Sequence, residues 1–270
     1  MTTWAPSVRT IEDGLSPWPV QAMQALLDHA PNARAGDPLP LGWHWLFFHE
    51  PVPSSALGVD GHPARGGFLP PVNAPRRMWA GGRLHALQPV ILGQPATLVS
   101  KVRSVERKTG RSGPLTFVRV VHEVHQQGVS VEEEQVLVYR ERESPRAVEA
   151  EEGAPWKSPD PAWSRPFTPT RVTLFQFSAL TYNAHRIHYD YPYATEREGY
   201  ADLLVHAPLT VLALLNAAAG QGSTPTSFRY RALAPLFVDQ TALLEGFDDG
   251  TLRAASNEGL TLMEGTVTTA

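Results

Sequence analysis

The fold class is decided by the segment His206-Ala-Pro-Leu-Thr-Val-Leu-Ala-Leu-Leu-Asn-Ala-Ala-Ala-Gly220. It predicts a helix with Pro208 in the first turn and Gly220 as the C-cap. The helix is apolar on nearly every face, which indicates that it is buried on most sides. Strand-like runs follow at 226–235, 236–247, 251–256 and 260–269, and the first two could be one strand kinked at Pro235. The second half therefore predicts an antiparallel sheet wrapped around one helix, in an α+β fold.

The first half shows a weaker version of the same pattern. Ser16 is suited to cap a helix that starts at Pro17 and stops before Pro31. The aromatic run 41–48 predicts a buried strand, and the region 51–82, dense in Pro and Gly, predicts a long loop. Four more strands with short connections are predicted at 84–92, 96–107, 115–125 and 129–139.

Charged residues and prolines between the two halves indicate a linker. We predict an N-terminal domain at 1–145, a linker at 146–168 and a C-terminal domain at 169–270. Within the C-terminal domain, the run 171–177 predicts a strand that leads into a polar segment.

Composition excludes several classes of protein. The 270 residues include no cysteine, so disulfides, thiolate metal sites and cysteine nucleophiles are ruled out. A net charge of -4 gives no indication of a nucleic-acid partner. The first residues lack the basic and apolar regions of a signal peptide, and no apolar run is long enough to span a membrane. We therefore expect a cytoplasmic protein.

The segment from Phe177 to Ala194 is the candidate reaction site, because its polar side chains are too many to be buried without partners. These side chains are Ser178, Thr181, Asn183, His185, Arg186, His188 and Asp190. Our hypothesis is that Asn183 and His188 hold and activate a water molecule. An imidazole titrates near neutral pH, which makes His188 the natural general acid or base.

Other interpretations of the polar residues remain open. Structural hydrogen bonding suits His185 and Asp190 better than catalysis does. A zinc site formed by His185, His188 and His206 lacks a supporting His-Glu-x-x-His or cysteine motif. A nucleophilic Ser178 lacks the Gly-x-Ser-x-Gly elbow.

Paired polar residues in the first half are less informative. His122 and His125 are three residues apart on a predicted strand, so they should point to opposite faces, one inward and one exposed. Arg76 and Arg77 lie in the predicted loop, where they could bind a phosphate or carboxylate, or could simply be solvated charges.

The run Asn183-Ala-His-Arg-Ile-His188, with Ala194 six residues further on, resembles the hydratase-2 motif of MaoC-like hot-dog enoyl-CoA hydratases and dehydratases. In that motif Asn183 stands where the family has a catalytic Asp, and His188 matches the catalytic His. The variant motif, with Asp60-Gly-His-Pro and Met78-Trp-Ala-Gly-Gly, looks like the mesaconyl-C4-CoA and itaconyl-CoA hydratase branch, which is related to mitochondrial 3-hydroxyacyl-thioester dehydratases.

The resemblance implies a double hot-dog whose second half carries catalysis and whose first half shapes the acyl pocket. Backbone donors around His206 and Ala207, at the start of a helix, would stabilise the thioester oxygen. The substrate would be a CoA thioester bound by Arg76, Arg77, Trp79, Tyr182 and Arg186. We expect no cofactor, metal, nucleic-acid partner or membrane association. We expect the protein to form a homodimer.

The expected reaction is reversible addition of water to a short branched or dicarboxylic enoyl-CoA, giving citramalyl-CoA from mesaconyl-C4-CoA or itaconyl-CoA. A 3-hydroxyacyl-thioester dehydratase for medium or long chains is the first alternative. A non-catalytic acyl-CoA binding protein is the second, because an Asn at position 183 cannot act as a base.

Overall fold

The computed structural model describes residues 4–74, 76–110, 113–140 and 160–270. Within them, ten antiparallel strands form one continuous sheet. The strands are β1 Val8–Asp13, β2 Arg76–Ala86, β3 Ala96–Gly110, β4 Gly113–His125, β5 Val129–Arg140, β6 Trp163–Phe167, β7 Pro225–Ala232, β8 Ala242–Gly246, β9 Thr251–Ser256 and β10 Thr261–Thr269. Their order in the sheet is β1-β3-β4-β5-β2-β7-β10-β9-β8-β6.

The two halves of the sheet meet where β2 pairs with β7. Gly81 and Gly82 on β2 lie opposite Arg231 and Tyr230 on β7. A side chain at Gly81 would overlap the Tyr230 carbonyl oxygen, so glycine is required for this close approach. Five strands of the first half and five of the second therefore form a double hot-dog, which confirms the predicted fold class.

Three α-helices occur in the described part of the chain: α1 Pro17–Leu26, α2 Arg171–Leu180 and α3 Ala207–Ala219. The third packs on β7, β8 and β9, and most of its side chains are buried, including Leu209, Leu212 and Leu214. Burial of each leucine stabilises the fold by about 1.5–3 kcal/mol. None of these helices combines the length and apolar character needed to cross a membrane.

Several local predictions are confirmed. Helix α1 begins at Pro17 with the Ser16 hydroxyl accepting from the Trp18 N–H, and α3 ends at Gly220. Strands β3, β4, β5, β9 and β10 agree with their predicted ranges to within a few residues. His122 is buried whereas His125 is partly exposed, as expected for opposite faces.

Two predicted strands were wrong. The run 41–48 is buried, but it contains a 3-10 helix at Trp43–Leu46, preceded by Gly42 in the left-handed region at φ 85°. The run 171–177 is the start of α2, because Thr170 caps it through reciprocal hydrogen bonds with Thr173. In both runs a short apolar pattern suits either element, and caps decide between them.

Other boundaries also need correction. Strand β2 begins at Arg76, inside the predicted loop 51–82, so neither Arg76 nor Arg77 is a loop residue. Trp163–Phe167, in the predicted linker, is instead the edge strand β6 paired with β8. The range 226–247 is not one kinked strand, because β7 ends at residue 232 and β8 starts at 242. The rest of the predicted linker, up to residue 159, lies outside the described residues.

Candidate active site

A cavity of about 1080 Å³ lies between the two halves, and residues of both line it. Its volume is at the upper end of the range typical of small-molecule sites. The first half contributes His62, Arg77, Trp79, His122 and Glu133, and the second contributes Phe177, Tyr182, Asn183, His185, His188, His206 and Ala207. The contiguous segment predicted as the reaction site therefore does face a cavity.

A tight turn after α2 directs Asn183 toward the cavity. Tyr182 has a left-handed backbone, with φ 49°, and the Asn183 N–H donates to the Ser178 carbonyl oxygen at 2.9 Å. Asn183 Oδ1 accepts the His185 N–H at 3.0 Å, which is an Asx-type turn. Its carbonyl oxygen thus shapes the loop, while its amide NH₂ group makes no hydrogen bond to another described residue.

His188 is fixed in one tautomer. It belongs to a 3-10 turn at Arg186–His188, is buried, and its Nδ1 lies 2.8 Å from the Leu204 carbonyl oxygen. Since a carbonyl oxygen only accepts, Nδ1 carries the proton and Nε2 has a free lone pair. Burial lowers the pKa of His188 to about 4, although the Leu204 hydrogen bond opposes the effect. His188 is therefore a neutral proton acceptor at physiological pH.

The start of α3 adjoins His188. His206 is the N-cap of this helix, and its ring stacks on that of His188 with centroids 3.6 Å apart. The Nε2 atom of His206 hydrogen-bonds to Ser178 Oγ at 2.9 Å. Burial lowers the pKa of His206 well below its usual value. The Ala207 N–H is in the first turn, where no helical acceptor exists, and Ala207 lines the cavity.

A loop of the first half packs directly on the His188 loop. The Arg186 N–H donates to the Asp60 carbonyl oxygen at 2.9 Å, and the Arg186 guanidinium donates to the Val59 carbonyl oxygen at 3.0 Å. Gly61 has φ 88°, and a side chain there would overlap the Ala184 carbonyl oxygen. His62 lies beside His185, with ring centroids 4.2 Å apart.

Sequence reasoning missed His62 as a site residue. The available signal was Asp60-Gly61-His62 itself, in which a glycine between two polar residues indicates a special turn. That signal gave no indication of which part of the second half the loop contacts.

The predicted substrate-binding residues divide into two groups. Arg77, Trp79 and Tyr182 line the cavity. Arg76 and Arg186 do not line it, and both are engaged elsewhere.

Arg76 is buried, its Nε lies 3.3 Å from Glu198 Oε2, and its guanidinium lies over the Tyr200 ring. Arg186 forms an ion pair with Asp190 at 2.7 Å and lies over the Tyr193 ring. Their contacts are structural, as is that of Asp190.

A second polar cluster lines the first-half wall of the cavity. Glu133 is buried and accepts from His44 Nε2 at 2.8 Å and from Trp45 Nε1 at 3.0 Å. Burial would raise the pKa of Glu133, but His122 and His44 lower it below its usual value. Glu133 Oε1 and His122 Nε2 have no hydrogen-bond partner in the described structure, so this wall can accept polar groups of a ligand.

One group of possible metal ligands occurs among the described residues. Ligand-type atoms of Asp60, His62 and His185 all lie within 4.8 Å of one another. However, the positive charges of Arg77 and Arg65 act on His62, and they would repel a cation. The Nδ1 atom of His62 is also already paired with Asp60. We assign these side chains to hydrogen bonding, and the expectation that no metal is needed stays a prediction.

Fold and site together define a class of protein: a double hot-dog enzyme of the acyl-thioester hydratase and dehydratase type. Residues 42–238 match the family described as hydroxyacyl-thioester dehydratase type 2, which is most of the chain. The chain belongs to this family.

Similar proteins support the assignment. The chain is 42% identical to the mesaconyl-C(4)-CoA hydratase of Chloroflexus aurantiacus over 87% of this chain and 84% of that protein. It is 28% identical to the mitochondrial hydroxyacyl-thioester dehydratase type 2 of Schizosaccharomyces pombe over 85% of this chain and 87% of that protein. Its fold matches a crystal structure of HtdX from Mycobacterium tuberculosis with a TM-score of 0.66, at 19% identity, covering 96% of this chain and 98% of that one.

Proposed function

We propose that this enzyme adds water to a short dicarboxylic enoyl-CoA of the mesaconyl-C4-CoA type, forming citramalyl-CoA. The observation that carries the proposal is the free Nε2 of His188, held in the cavity by the Leu204 hydrogen bond. The 42% identity to a mesaconyl-C(4)-CoA hydratase supports the choice of acyl group.

His188 acts as the base in the hydration direction. Its Nε2 takes a proton from water as the water oxygen bonds to Cβ. Negative charge then develops on the thioester oxygen, which the Ala207 N–H and the positive end of the α3 dipole stabilise. Asn183 cannot remove a proton, and its free amide NH₂ group orients the water or the acyl group by donating a hydrogen bond.

The free carboxylate of mesaconyl-C4-CoA is attached to Cβ, the carbon that water attacks. A residue that recognises it must therefore lie close to His188. Arg77 fits this requirement better than Arg76, because it lines the same cavity and its charge acts on the adjacent Asp60 and His62. A guanidinium can bind a carboxylate with two parallel hydrogen bonds.

The test is a panel of enoyl-CoA substrates followed by the ultraviolet absorbance of the enoyl thioester. We expect turnover of mesaconyl-C4-CoA, with crotonyl-CoA as the comparison that lacks the carboxylate. Arg77→Gln should reduce kcat/KM for mesaconyl-C4-CoA by roughly 10–100-fold, as expected for loss of a charged hydrogen bond of about 1.5–3 kcal/mol. Crotonyl-CoA turnover should be retained.

Arg83→Gln is the matched control, because Arg83 is an exposed residue on the same strand and does not line the cavity. Equal loss on both substrates in Arg77→Gln would remove the reason for naming a dicarboxylic substrate. No turnover of any enoyl-CoA by the wild type would disprove the proposed function.

Dehydration of medium or long 3-hydroxyacyl thioesters is the second candidate. The cavity volume of about 1080 Å³ and the family match favour it. A higher kcat/KM for octenoyl-CoA than for mesaconyl-C4-CoA would select this candidate.

We further propose a homodimer and a cytoplasmic location, and itaconyl-CoA as an additional substrate to include in the panel. The dimer rests on the tendency of hot-dog sheets to pair at their edges, and β1 and β6 are the edges of the described sheet. Light scattering after size exclusion tests the dimer, and cell fractionation tests the location.

A further inference from the structure

The first half of the chain provides a carboxylate-imidazole pair at the cavity. Asp60 Oδ2 lies 3.2 Å from His62 Nδ1, and Asp60 Oδ1 accepts the His62 backbone N–H at 3.0 Å. A carboxylate accepts, so Nδ1 of a neutral His62 carries the proton and Nε2 has a free lone pair. His62 lines the cavity, whereas Asp60 does not and lies behind it.

This pair is held firmly against the residues around His188. The Arg186 N–H and guanidinium bind the Asp60 and Val59 carbonyl oxygens, and Gly61 allows the loop to touch the Ala184 carbonyl. The rings of His62 and His185 have centroids 4.2 Å apart, and those of His185 and His188 are 5.5 Å apart. The geometry is fixed by backbone contacts rather than by flexible side chains alone.

We propose that His62, positioned by Asp60, is the second acid–base residue of the reaction, an inference that rests on the proposed hydration of enoyl-CoA. In hydration, His188 Nε2 takes one proton from water while the water oxygen bonds to Cβ. The electron pair of the double bond moves to Cα, and protonated His62 Nε2 donates a proton to that carbon. One proton enters His188 and one leaves His62, and the reverse transfers accompany dehydration.

Hydration moves two protons, and Asn183 can supply neither step. A second titratable group allows the proton that reaches Cα to come from a donor other than His188. His62 lines the cavity and has the Asp60 carboxylate hydrogen-bonded to its ring. The arrangement of Asp60 and His62 is the one that orients and stabilises a protonated imidazole in hydrolytic triads.

The groups around His62 act on its proton in opposite directions. The pKa of His62 lies below its usual value: burial lowers it most, the charges of Arg77 and Arg65 lower it further, and the Asp60 hydrogen bond and charge oppose these effects. His185 also faces it, and burial lowers the pKa of His185 to about 2, so His185 stays neutral. The ring of His62 is hydrogen-bonded to a carboxylate and that of His188 to a neutral carbonyl oxygen, so a proton on one of the two imidazoles is better stabilised on His62.

The experiment compares pH profiles of kcat and kcat/KM for enoyl-CoA hydration. His62→Gln should lower kcat by roughly 10²–10⁴-fold with little change in KM. Asp60→Asn should move the basic limb of the kcat/KM profile to lower pH by about 1 unit or more, because an adjacent carboxylate raises the pKa of an imidazole by that much. His29→Gln is the control, since His29 is exposed and outside the cavity.

Thermal unfolding midpoints of all variants show whether a loss of activity is a loss of folding. Wild-type kcat in His62→Gln, an effect on KM alone, or an unmoved basic limb in a folded Asp60→Asn variant would each overturn the proposal. Those results leave the proposed function intact, because the wild type remains active. Failure of the proposed function itself is distinguished by a wild type that hydrates no substrate.

Discussion

Replacement of Gly61 by alanine gives a quantitative test of how the two halves meet. Gly61 has φ 88°, in the left-handed region, which costs an alanine about 1–2 kcal/mol. Its new Cβ would overlap the Ala184 carbonyl oxygen and would lie 2.9 Å from the Ala184 carbonyl carbon. Backbone cannot yield as a flexible side chain does, so overpacking adds about 1–3 kcal/mol.

Gly66→Ala is the matched control because it has the same strain without the overlap. Gly66 has φ 95°, and its nearest neighbour would be Pro71 Cβ at 3.6 Å, an ordinary contact. We expect Gly61→Ala to reduce the free energy of unfolding by about 2–5 kcal/mol and Gly66→Ala by about 1–2 kcal/mol. For a chain of this length each kcal/mol lowers Tm by about 2 °C.

The assay is the thermal unfolding midpoint together with kcat for enoyl-CoA hydration. Because Gly61 lies between Asp60 and His62, displacing it should also move His62 from His185, and kcat should fall at least 10-fold relative to Gly66→Ala. Equal stability and equal kcat in the two variants would refute the close contact between the loops. A Gly61→Ala variant with unchanged stability and reduced kcat would show that the Gly61 loop moves away from the Ala184 loop instead of straining the fold.

Four further predictions concern buried groups or their hydrogen-bond partners. The acid limb of the kcat/KM profile should have its midpoint near pH 4, because His188 must be neutral to act as a base and its pKa is about 4; a midpoint near 6.5 would contradict this. The free energy of unfolding should fall by about 3 kcal/mol as the pH drops from 6.5 to 4, because only the unfolded chain binds a proton at His188 in that window. In urea titrations, the His188→Gln variant should not show this loss of stability. Arg76→Met should cost about 3–5 kcal/mol by leaving the buried Glu198 carboxylate without its ion-pair partner. Adding Glu198→Gln should recover stability in the same titration, and no recovery would refute the ion pair. Ser178→Ala should cost about 1–3 kcal/mol, because His206 Nε2 loses its partner, and an unchanged Tm would show that this bond contributes nothing.

Local sequence patterns were sufficient to predict a helix or strand where that element has one clear signal. Helix α3 was predicted because its apolar character and its proline and glycine ends are local features. The runs 41–48 and 171–177 were mistaken for strands because a short apolar pattern fits both elements. Gly42 in the left-handed region and the Thr170 cap resolve that ambiguity, and they depend on backbone geometry.

By itself the sequence determined the fold class and the Asn183–His188 segment, since both follow from contiguous residues. Only the tertiary structure decided which arginine faces the cavity: neighbours on a strand point to opposite sides, so Arg77 lines it while Arg76 pairs with Glu198. The structure also brought His62 to His185, although 122 residues separate them in the sequence. No local pattern encodes such a contact, because it depends on how the β2–β7 junction joins the two halves.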